Sequence, residues 1–274
     1  MTCLTLTPQS VAEAIESRAQ MVVAHHPLPL KPIAKLTTQS QSGRMLWELA
    51  RAGISVYSPH TAWDSAGRGI NARLAELLEL EDCQPIVSQR VMSQSSSIAT
   101  GTFTSHSGST QLRQGAAVGK SEPLDEPLDV VGAGRMGILP KPVSLRELTS
   151  RLYQRVADCR PRGVIGGQLI RHVAIACGSG GSLLGAALAT GKCDLFLTGE
   201  ATFHTCLEAQ AAGISLLLIG HFASERFAMV QMASELQQAY PQLGVWASQL
   251  EKDPVENLVS PCPPGQPTYN SPNT

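Results

Sequence analysis

Short apolar runs alternate with amphipathic stretches in the first part of the chain. Apolar runs occupy residues 3–6 and 21–24, a β-rich run occupies 54–58, and helical patterns cover residues 7–15, 43–52 and 71–80. A loop through Asp64 joins the third run to the last of these helices. Regular alternation of strands and helices predicts an α/β fold.

The same alternation returns in the second half of the chain. Apolar runs are found at residues 173–176, 194–197, 214–219 and 244–247, and predicted helices at 144–156, 182–189, 205–212 and 224–236. A glycine-rich loop at 178–181 follows the first of these runs. The pattern predicts a second α/β unit.

Composition changes sharply between the two units. Residues 93–131 are rich in Ser, Thr, Gly and Gln and keep no helical period, which is typical of a linker. Five prolines follow residue 257, which favours a flexible tail. We therefore predict an N-terminal α/β lobe at 1–92, a linker at 93–131, a C-terminal α/β lobe at 132–256 and a Pro-rich tail at 257–274.

Composition and charge narrow the class of protein. The 274 residues are 43% apolar and 16% charged, enough to form a packed core. A net charge of −1 gives no long-range attraction to nucleic acid or to an anionic membrane, so neither is an expected partner. No apolar run is long enough to span a bilayer, no secretory signal is recognisable, and the seven cysteines are dispersed as in proteins with reduced thiols. These features predict a cytoplasmic location.

Three clusters of His and carboxylate residues each follow a predicted strand. His25 and His26 come after the run at 21–24, His60 and Asp64 after the run at 54–58, and His221 and Glu225 after the run at 214–219. The carboxyl ends of parallel strands are where α/β sheets bind ligands. Each cluster alone has an ordinary structural explanation, such as a capped strand or a helix N-terminus.

Together the clusters indicate a metal site. Pro27 favours an extended backbone at His26, so the two neighbouring imidazoles diverge and can serve two ions. His221 and Glu225, four residues apart, share a face once a helix has begun. A mononuclear catalytic zinc site has about three protein ligands. The sequence offers five candidate ligands: His25, His26, Asp64, His221 and Glu225. The sequence therefore predicts two divalent ions, zinc, iron or manganese, with His60 close by.

Further polar residues are weaker candidates. Glu200 and His204 follow the run at 194–197, where they are candidates for proton transfer or for support of the ligands, as is His60. The loop at 178–182 has backbone N–H groups that could hold a phosphate, although a tight structural turn explains it equally well. His106 and His172 are expected to be incidental.

Six short segments carry a resemblance to a known family. They are VAHHPL at 23–28, YSPHTAWD at 57–64, GRMG at 134–137 with LP at 139–140, GSGGS at 178–182, LTGE at 197–200 and GHFASE at 220–225. In order and spacing the chain resembles the GTP cyclohydrolase 1 type 2 homologues, also called NGG-interacting-factor-3-like proteins, over most of residues 4–257.

The resemblance implies a two-lobed, three-layer-like α/β fold with mixed sheets and a dinuclear metal site between the lobes. It also implies a toroidal homohexamer, and His25, His26, Asp64, His221 and Glu225 match the family's metal positions. His60 and His204 match further polar positions around the cavity. The chain departs from the family pattern in lacking the first helix and strand, in having Ala62 where Asn is common, and in a linker too short for the inserted domain of some members.

Two functions are compatible with these residues. The first is a metal-dependent hydrolase that acts on a nucleotide-like or phosphoester small molecule, with Glu200, His204 or His60 moving protons. The second is a non-enzymatic protein that buffers or delivers metal, or a regulatory scaffold, using the same ligands. A shortened homologue that has lost its assembly and its metal is a third, less informative possibility.

Overall fold

The structure is a computed structural model that describes residues 1–89, 131–167 and 169–256. The predicted tail at 257–274, the predicted linker except its last residue, and the predicted lobe boundary at residue 92 lie outside the described residues. His106 and Cys262 lie there too, and the other six cysteines are free thiols.

A three-stranded parallel sheet forms from the first part of the chain. Its strands are β1 (Thr2–Cys3), β2 (Met21–Ala24) and β3 (Ser55–Tyr57), in the order β1-β2-β3. Helices α1 (Pro8–Glu16) and α2 (Gln41–Arg51) connect them, as the pattern predicts. Helix α1 begins where it does because Thr7 and Ser10 form a capping box and Pro8 occupies the first turn.

Two short helices follow β3. They are α3 (His60–Ser65) and α4 (Ile70–Leu77), and α4 ends three residues earlier than predicted. The predicted loop through Asp64 is wrong, since Asp64 lies in α3. Six residues make fewer than two helical turns, too few for apolar periodicity to reveal a helix.

The second sheet has six strands and mixed direction. In spatial order they are β4 (Glu81–Gln84), β7 (Arg135–Val143), β9 (Ile170–Ala176), β10 (Leu195–Thr198), β11 (Ser215–Leu218) and β8 (Arg162–Val164). Strands β9, β10 and β11 are mutually parallel, and the other pairs are antiparallel. A separate pair joins β5 (Val87–Ser88) to β6 (Gly132–Ala133).

Strands β7, β9, β10 and β11 of this sheet are followed by helices α5 (Leu145–Arg155), α6 (Leu184–Ala189), α7 (Phe203–Ala211) and α8 (His221–Ala239). Helix α4 also contacts β7 and β9. Side chains alternate along the central strands, so Ile175 and Leu197 join one buried cluster and Ala174 and Phe196 join another. The predicted helix at 182–189 is present as a 3-10 turn (Gly180–Leu183) that leads into α6.

Other segments also differ from prediction, among them strands β4, β5, β6 and β8, which the sequence pattern did not indicate. Strand β7 was not predicted, because Pro140 and Pro142 argue against a central strand; both prolines fall where the β7–β9 register shifts. The predicted strand at 244–247 is wrong and is reduced to an isolated bridge between Ala247 and Thr2.

The end of the described chain packs against its beginning. Ala247 bridges to Thr2, and the buried carboxylate of Glu13 accepts hydrogen bonds from Ser248 Oγ and from two backbone N–H groups that follow it. The α/β class with a mixed sheet is confirmed. None of the helices within the described residues is long and apolar enough to cross a bilayer.

Candidate metal centre

His25 and His26 are fixed by a continuation of the β1–β2 ladder. The His25 N–H donates to the Cys3 carbonyl at 3.1 Å and the His26 N–H to the Leu4 carbonyl at 2.9 Å. The two rings lie 4.9 Å apart between centroids and are tilted by 56°, so they diverge as predicted. His25 is 1% exposed.

His60 and Asp64 come from helix α3. His60 has a φ of +39°, a left-handed conformation that is strained in a non-glycine residue and is common at functional sites. Its ring lies 5.3 Å from that of His25, and Asp64 Oδ1 lies 3.5 Å from His25 Nε2. Asn71 holds this region, since its amide donates to the Asp64 carbonyl and accepts from the Cys177 N–H.

His221 and Glu225 lie one turn apart at the start of α8. Their side chains share a face as predicted, with His221 Nε2 and Glu225 Oε2 3.1 Å apart. The same oxygen lies 3.2 Å from His26 Nε2, and Oε1 lies 3.9 Å from His25 Nε2. Glu225 is therefore central to the cluster, and it is 4% exposed.

These six side chains form three overlapping groups with the spacing of metal ligands. Within each group, one nitrogen or oxygen atom per residue lies within 4.8 Å of those of the others. The groups are His25, His26 and His60; His26, His221 and Glu225; and His25, Asp64 and Glu225. The structure thus brings together the five residues predicted as ligands, and it adds His60 to them.

Burial keeps part of the cluster uncharged. Burial lowers the pKa of His25 to about 4, so its imidazole is neutral at pH 7. Burial, reinforced by the Glu225 carboxylate, raises the pKa of Asp64 to about 7. A neutral imidazole has a nitrogen lone pair available to a cation.

Glu225 and His221, in contrast, are held in their charged forms. Burial raises the pKa of Glu225, but His221 and His26 outweigh it and hold this pKa at about 2. The Glu225 carboxylate in turn raises the pKa of His221 to about 9. The centre therefore carries a buried anion among imidazoles.

Several polar atoms of the cluster are buried without hydrogen-bond partners. Within the described residues, His25 Nδ1 and Nε2, His221 Nε2 and Glu225 Oε2 make no hydrogen bond of good geometry, although the last two atoms lie 3.1 Å apart as an ion pair. Such atoms are costly to bury unless something satisfies them. Imidazole nitrogens and carboxylate oxygens are ligands of zinc, iron and manganese, so the residues present fit a divalent metal.

The glycine loop makes room for these side chains. Gly178 has a φ of +63°, and a Cβ there would collide with Glu225 Oε1 and lie 3.2 Å from His221 Nε2. Its N–H donates to Ser224 Oγ at 2.9 Å. One of the N–H groups suggested for phosphate binding is therefore already used, which favours the structural-turn interpretation of this loop.

The weaker candidates are placed differently. Glu200 accepts a hydrogen bond from His221 Nδ1 at 2.9 Å and another from Ser179 Oγ. His204 is exposed on α7 with its ring beside Phe203, and it belongs to none of the three ligand groups. His172 pairs with Asp194 at 3.1 Å.

Thr5, Glu251 and Arg226 support the centre and, like Asn71, were not predicted from the sequence. Thr5 Oγ1 lies 2.7 Å from His26 Nδ1, and Glu251 and Arg226 hold the backbone around Thr5. Thr5 lies inside the apolar run at 3–6, whereas the structure ends β1 at Cys3, so the sequence pattern hid its place after a strand. For Glu251 the sequence had no signal, because 246 residues separate it from Thr5.

The cluster opens onto a cavity of about 670 Å³. His26, His60, Asp64 and Glu225 line one part of it, and Ser179 and Leu183 line another. The size is that of a small-molecule site.

Comparison with known proteins identifies the family. Residues 1–254 match the family model described as Duf34/NIF3 (NGG1p interacting factor 3). The chain belongs to this family. The match extends across both sheets and all six residues of the cluster.

Curated relatives match the chain over most of its length, and a solved structure shares its fold. The chain is 31% identical to the protein NIF3 homolog of Schizosaccharomyces pombe, with 93% of this chain and 83% of the relative covered. It is 27% identical to a GTP cyclohydrolase 1 type 2 homolog of Clostridium perfringens, with 92% and 83% covered. A Bacillus cereus protein related to NIF3 has the same fold, with a TM-score of 0.70, 22% identity, and 94% of this chain and 88% of that chain covered.

Proposed function

We propose that the protein binds two divalent metal ions, zinc, iron or manganese, through His25, His26, Asp64, His221 and Glu225. The observation that carries the proposal is the set of three overlapping ligand groups around buried nitrogen and oxygen atoms that make no hydrogen bond. Two ions explain why the groups overlap without coinciding. The geometry of His60 makes it a sixth candidate ligand.

Glu225 is the best candidate for a ligand shared by the two ions. Its Oε2 faces His26 and His221, whereas its Oε1 faces His25, so the two oxygens are directed at different histidines. A carboxylate arranged in this way suits a site where two ions lie side by side.

We further propose that the centre hydrolyses a nucleotide-like or phosphoester small molecule. Divalent ions in such sites supply Lewis acidity and make water a stronger nucleophile at neutral pH. Glu200 orients His221, and its partly exposed carboxylate, beside the cavity-lining Ser179, can accept a proton. His60 lines the same cavity. The name of the Clostridium perfringens relative, a GTP cyclohydrolase 1 type 2 homolog, also suggests a nucleotide.

A screen of substrates tests the hydrolase proposal. Protein loaded with manganese or zinc is assayed against nucleoside triphosphates, nucleoside monophosphates and simple phosphodiesters. We expect turnover by the wild type and a loss of about 10²-fold or more in Glu200→Gln with metal content retained. His60→Ala should lose activity to a similar extent, and its metal content distinguishes a proton carrier from a sixth ligand. His204→Ala tests the third predicted proton carrier in the same assay.

A metal carrier or regulatory scaffold is the second candidate function. It is favoured by the same ligand groups, which need no substrate to explain them. Metal-loaded protein that turns over none of these substrates, yet transfers its metal to an acceptor chelator, would support the carrier and contradict the hydrolase.

We also propose a homohexamer in the cytoplasm, on the basis of the family resemblance and of the sequence features described above. Light scattering coupled to size-exclusion chromatography tests the assembly. The expected mass is six times that of the 29.1 kDa chain, and a monomer would contradict it.

A further inference from the structure

The hydroxyl of Thr5 contacts the ring of His26 on the side away from the cluster. Thr5 Oγ1 lies 2.7 Å from His26 Nδ1, while His26 Nε2 faces Glu225 Oε2 at 3.2 Å. The two nitrogens of this ring therefore contact different residues on opposite sides of the ring. The hydrogen bond at Nδ1 determines whether Nε2 faces the cluster with a proton or with a free lone pair.

The Thr5 hydroxyl differs from Glu200, the carboxylate that contacts His221, in the hydrogen bonds it can make. The ionised Glu200 can only accept a hydrogen bond, so it fixes the proton of His221 on Nδ1. Thr5 can either donate or accept. It can donate to Nδ1 when Nε2 carries the proton, and accept from Nδ1 when Nε2 is free to bind a cation.

Thr5 is itself held in place by a buried ion pair. The Thr5 and Leu4 N–H groups donate to the two oxygens of Glu251, at 2.6 and 2.9 Å. Arg226 Nε lies 2.8 Å from Glu251 Oε2. Because Arg226 is next to Glu225 in α8, this pair links the backbone beside Thr5 to the helix that carries the central carboxylate.

We propose that Thr5 is a positioning residue that presents Nε2 of His26 to the metal centre, and that Glu251, paired with Arg226, fixes the backbone from which Thr5 does so. The inference rests on the proposed metal site. It concerns a residue outside the ligand set and therefore makes a separate prediction.

Zinc titration of the purified full-length chain tests this role. Zinc is diamagnetic, so calorimetry and NMR can be done on the same sample. We expect Thr5→Val, which keeps the shape and removes the hydroxyl, to weaken zinc binding about 10-fold to 100-fold. Thr5→Ser is the matched control, and it should restore the wild-type affinity.

Long-range ¹H–¹⁵N NMR of the His26 ring gives a readout that a purely structural role would not change. In the wild type the proton should move from Nε2 to Nδ1 when zinc binds. Thr5→Val should change the tautomer populations of the metal-free protein. Wild-type zinc affinity and wild-type tautomers in folded Thr5→Val would overturn the proposal.

A second variant tests the contribution of the ion pair. Glu251→Gln keeps the size of the side chain but loses the charge that pairs with Arg226, so zinc affinity should fall in parallel with that of Thr5→Val. A lower melting temperature with unchanged zinc affinity would overturn the part assigned to Glu251. A wild-type protein that binds no zinc, iron or manganese would instead overturn the metal site, and the role of Thr5 with it.

Discussion

At the scale of single residues, position after a strand was the informative signal. His25, His26, Asp64, His221 and Glu225 were all predicted from their place and chemistry, and all five lie in the cluster. Gly178 was singled out for its N–H groups, whereas the structure shows that the absence of its side chain matters more. That could not be predicted, because the neighbours of a Cβ depend on the packing of distant segments.

Gly178→Ala should damage the centre more than backbone strain alone can explain. The new methyl group would meet Glu225 Oε1, so the carboxylate has to move away from His25 and His26. We expect metal content to be lost and the free energy of unfolding to fall by more than the about 1 kcal/mol expected from the positive φ. Elemental analysis and urea denaturation measure the two effects.

Gly191→Ala is the matched control. Gly191 has a similar φ of +68°, but no atom lies within 4 Å of the position of its Cβ. This variant should lose about 1 kcal/mol and keep its metal. Equal behaviour of the two variants would show that the space beside Glu225 is unimportant.

At the scale of elements, the length of a helix and its capping residues determined whether it could be predicted from the sequence. Helix α1 was predictable because Thr7 and Pro8 mark its start and its apolar positions are periodic. Helix α3 was too short to show a period, and the prolines of β7 disguised a strand. The segment after residue 244 depends on side-chain contacts with α1, which no local pattern contains.

Glu13 of α1 should make stability depend on pH. Burial raises its pKa, but hydrogen bonds from Ser248, Gln249 and Leu250 outweigh burial and lower it below the ordinary value. A carboxyl group with a lowered folded-state pKa stabilises the protein above its unfolded-state pKa. That contribution is lost as the pH falls through the folded-state value.

Glu13→Gln should therefore cost about 1.5–3 kcal/mol at pH 7 and flatten the loss of stability at acid pH. Glu16→Gln, on the exposed side of the same helix, is the control and should change stability little. Urea denaturation from pH 7 down to pH 3 distinguishes them. An acid transition unaltered by Glu13→Gln would refute the assignment.

At the scale of the whole molecule, the centre joins segments that are distant in sequence. His25, His26, His60 and Asp64 follow strands of the three-stranded sheet, and His221 and Glu225 follow β11 of the six-stranded sheet. The α/β class was predictable from alternation, and the family from six short segments. The packing of residues 246–251 on the first sheet was not, because it depends on contacts more than 200 residues apart.

Metal should therefore stabilise the entire fold. Free metal at about 100 times the dissociation constant should add about 2.7 kcal/mol per site to the free energy of unfolding. Denaturation with and without added zinc measures this for the wild type and for His25→Ala with Glu225→Ala. An equal increase in both proteins would place the binding site elsewhere.

The central claim, a centre for two metal ions, is tested most directly by elemental analysis. The protein is purified without an affinity tag or chelator, and metal per chain is measured for the wild type, for His25→Ala with Glu225→Ala, and for His172→Ala as a control outside the cluster. We expect two equivalents in the wild type and in His172→Ala, and none in the double variant. Folded wild-type protein without metal, or a double variant that keeps both equivalents, would contradict it.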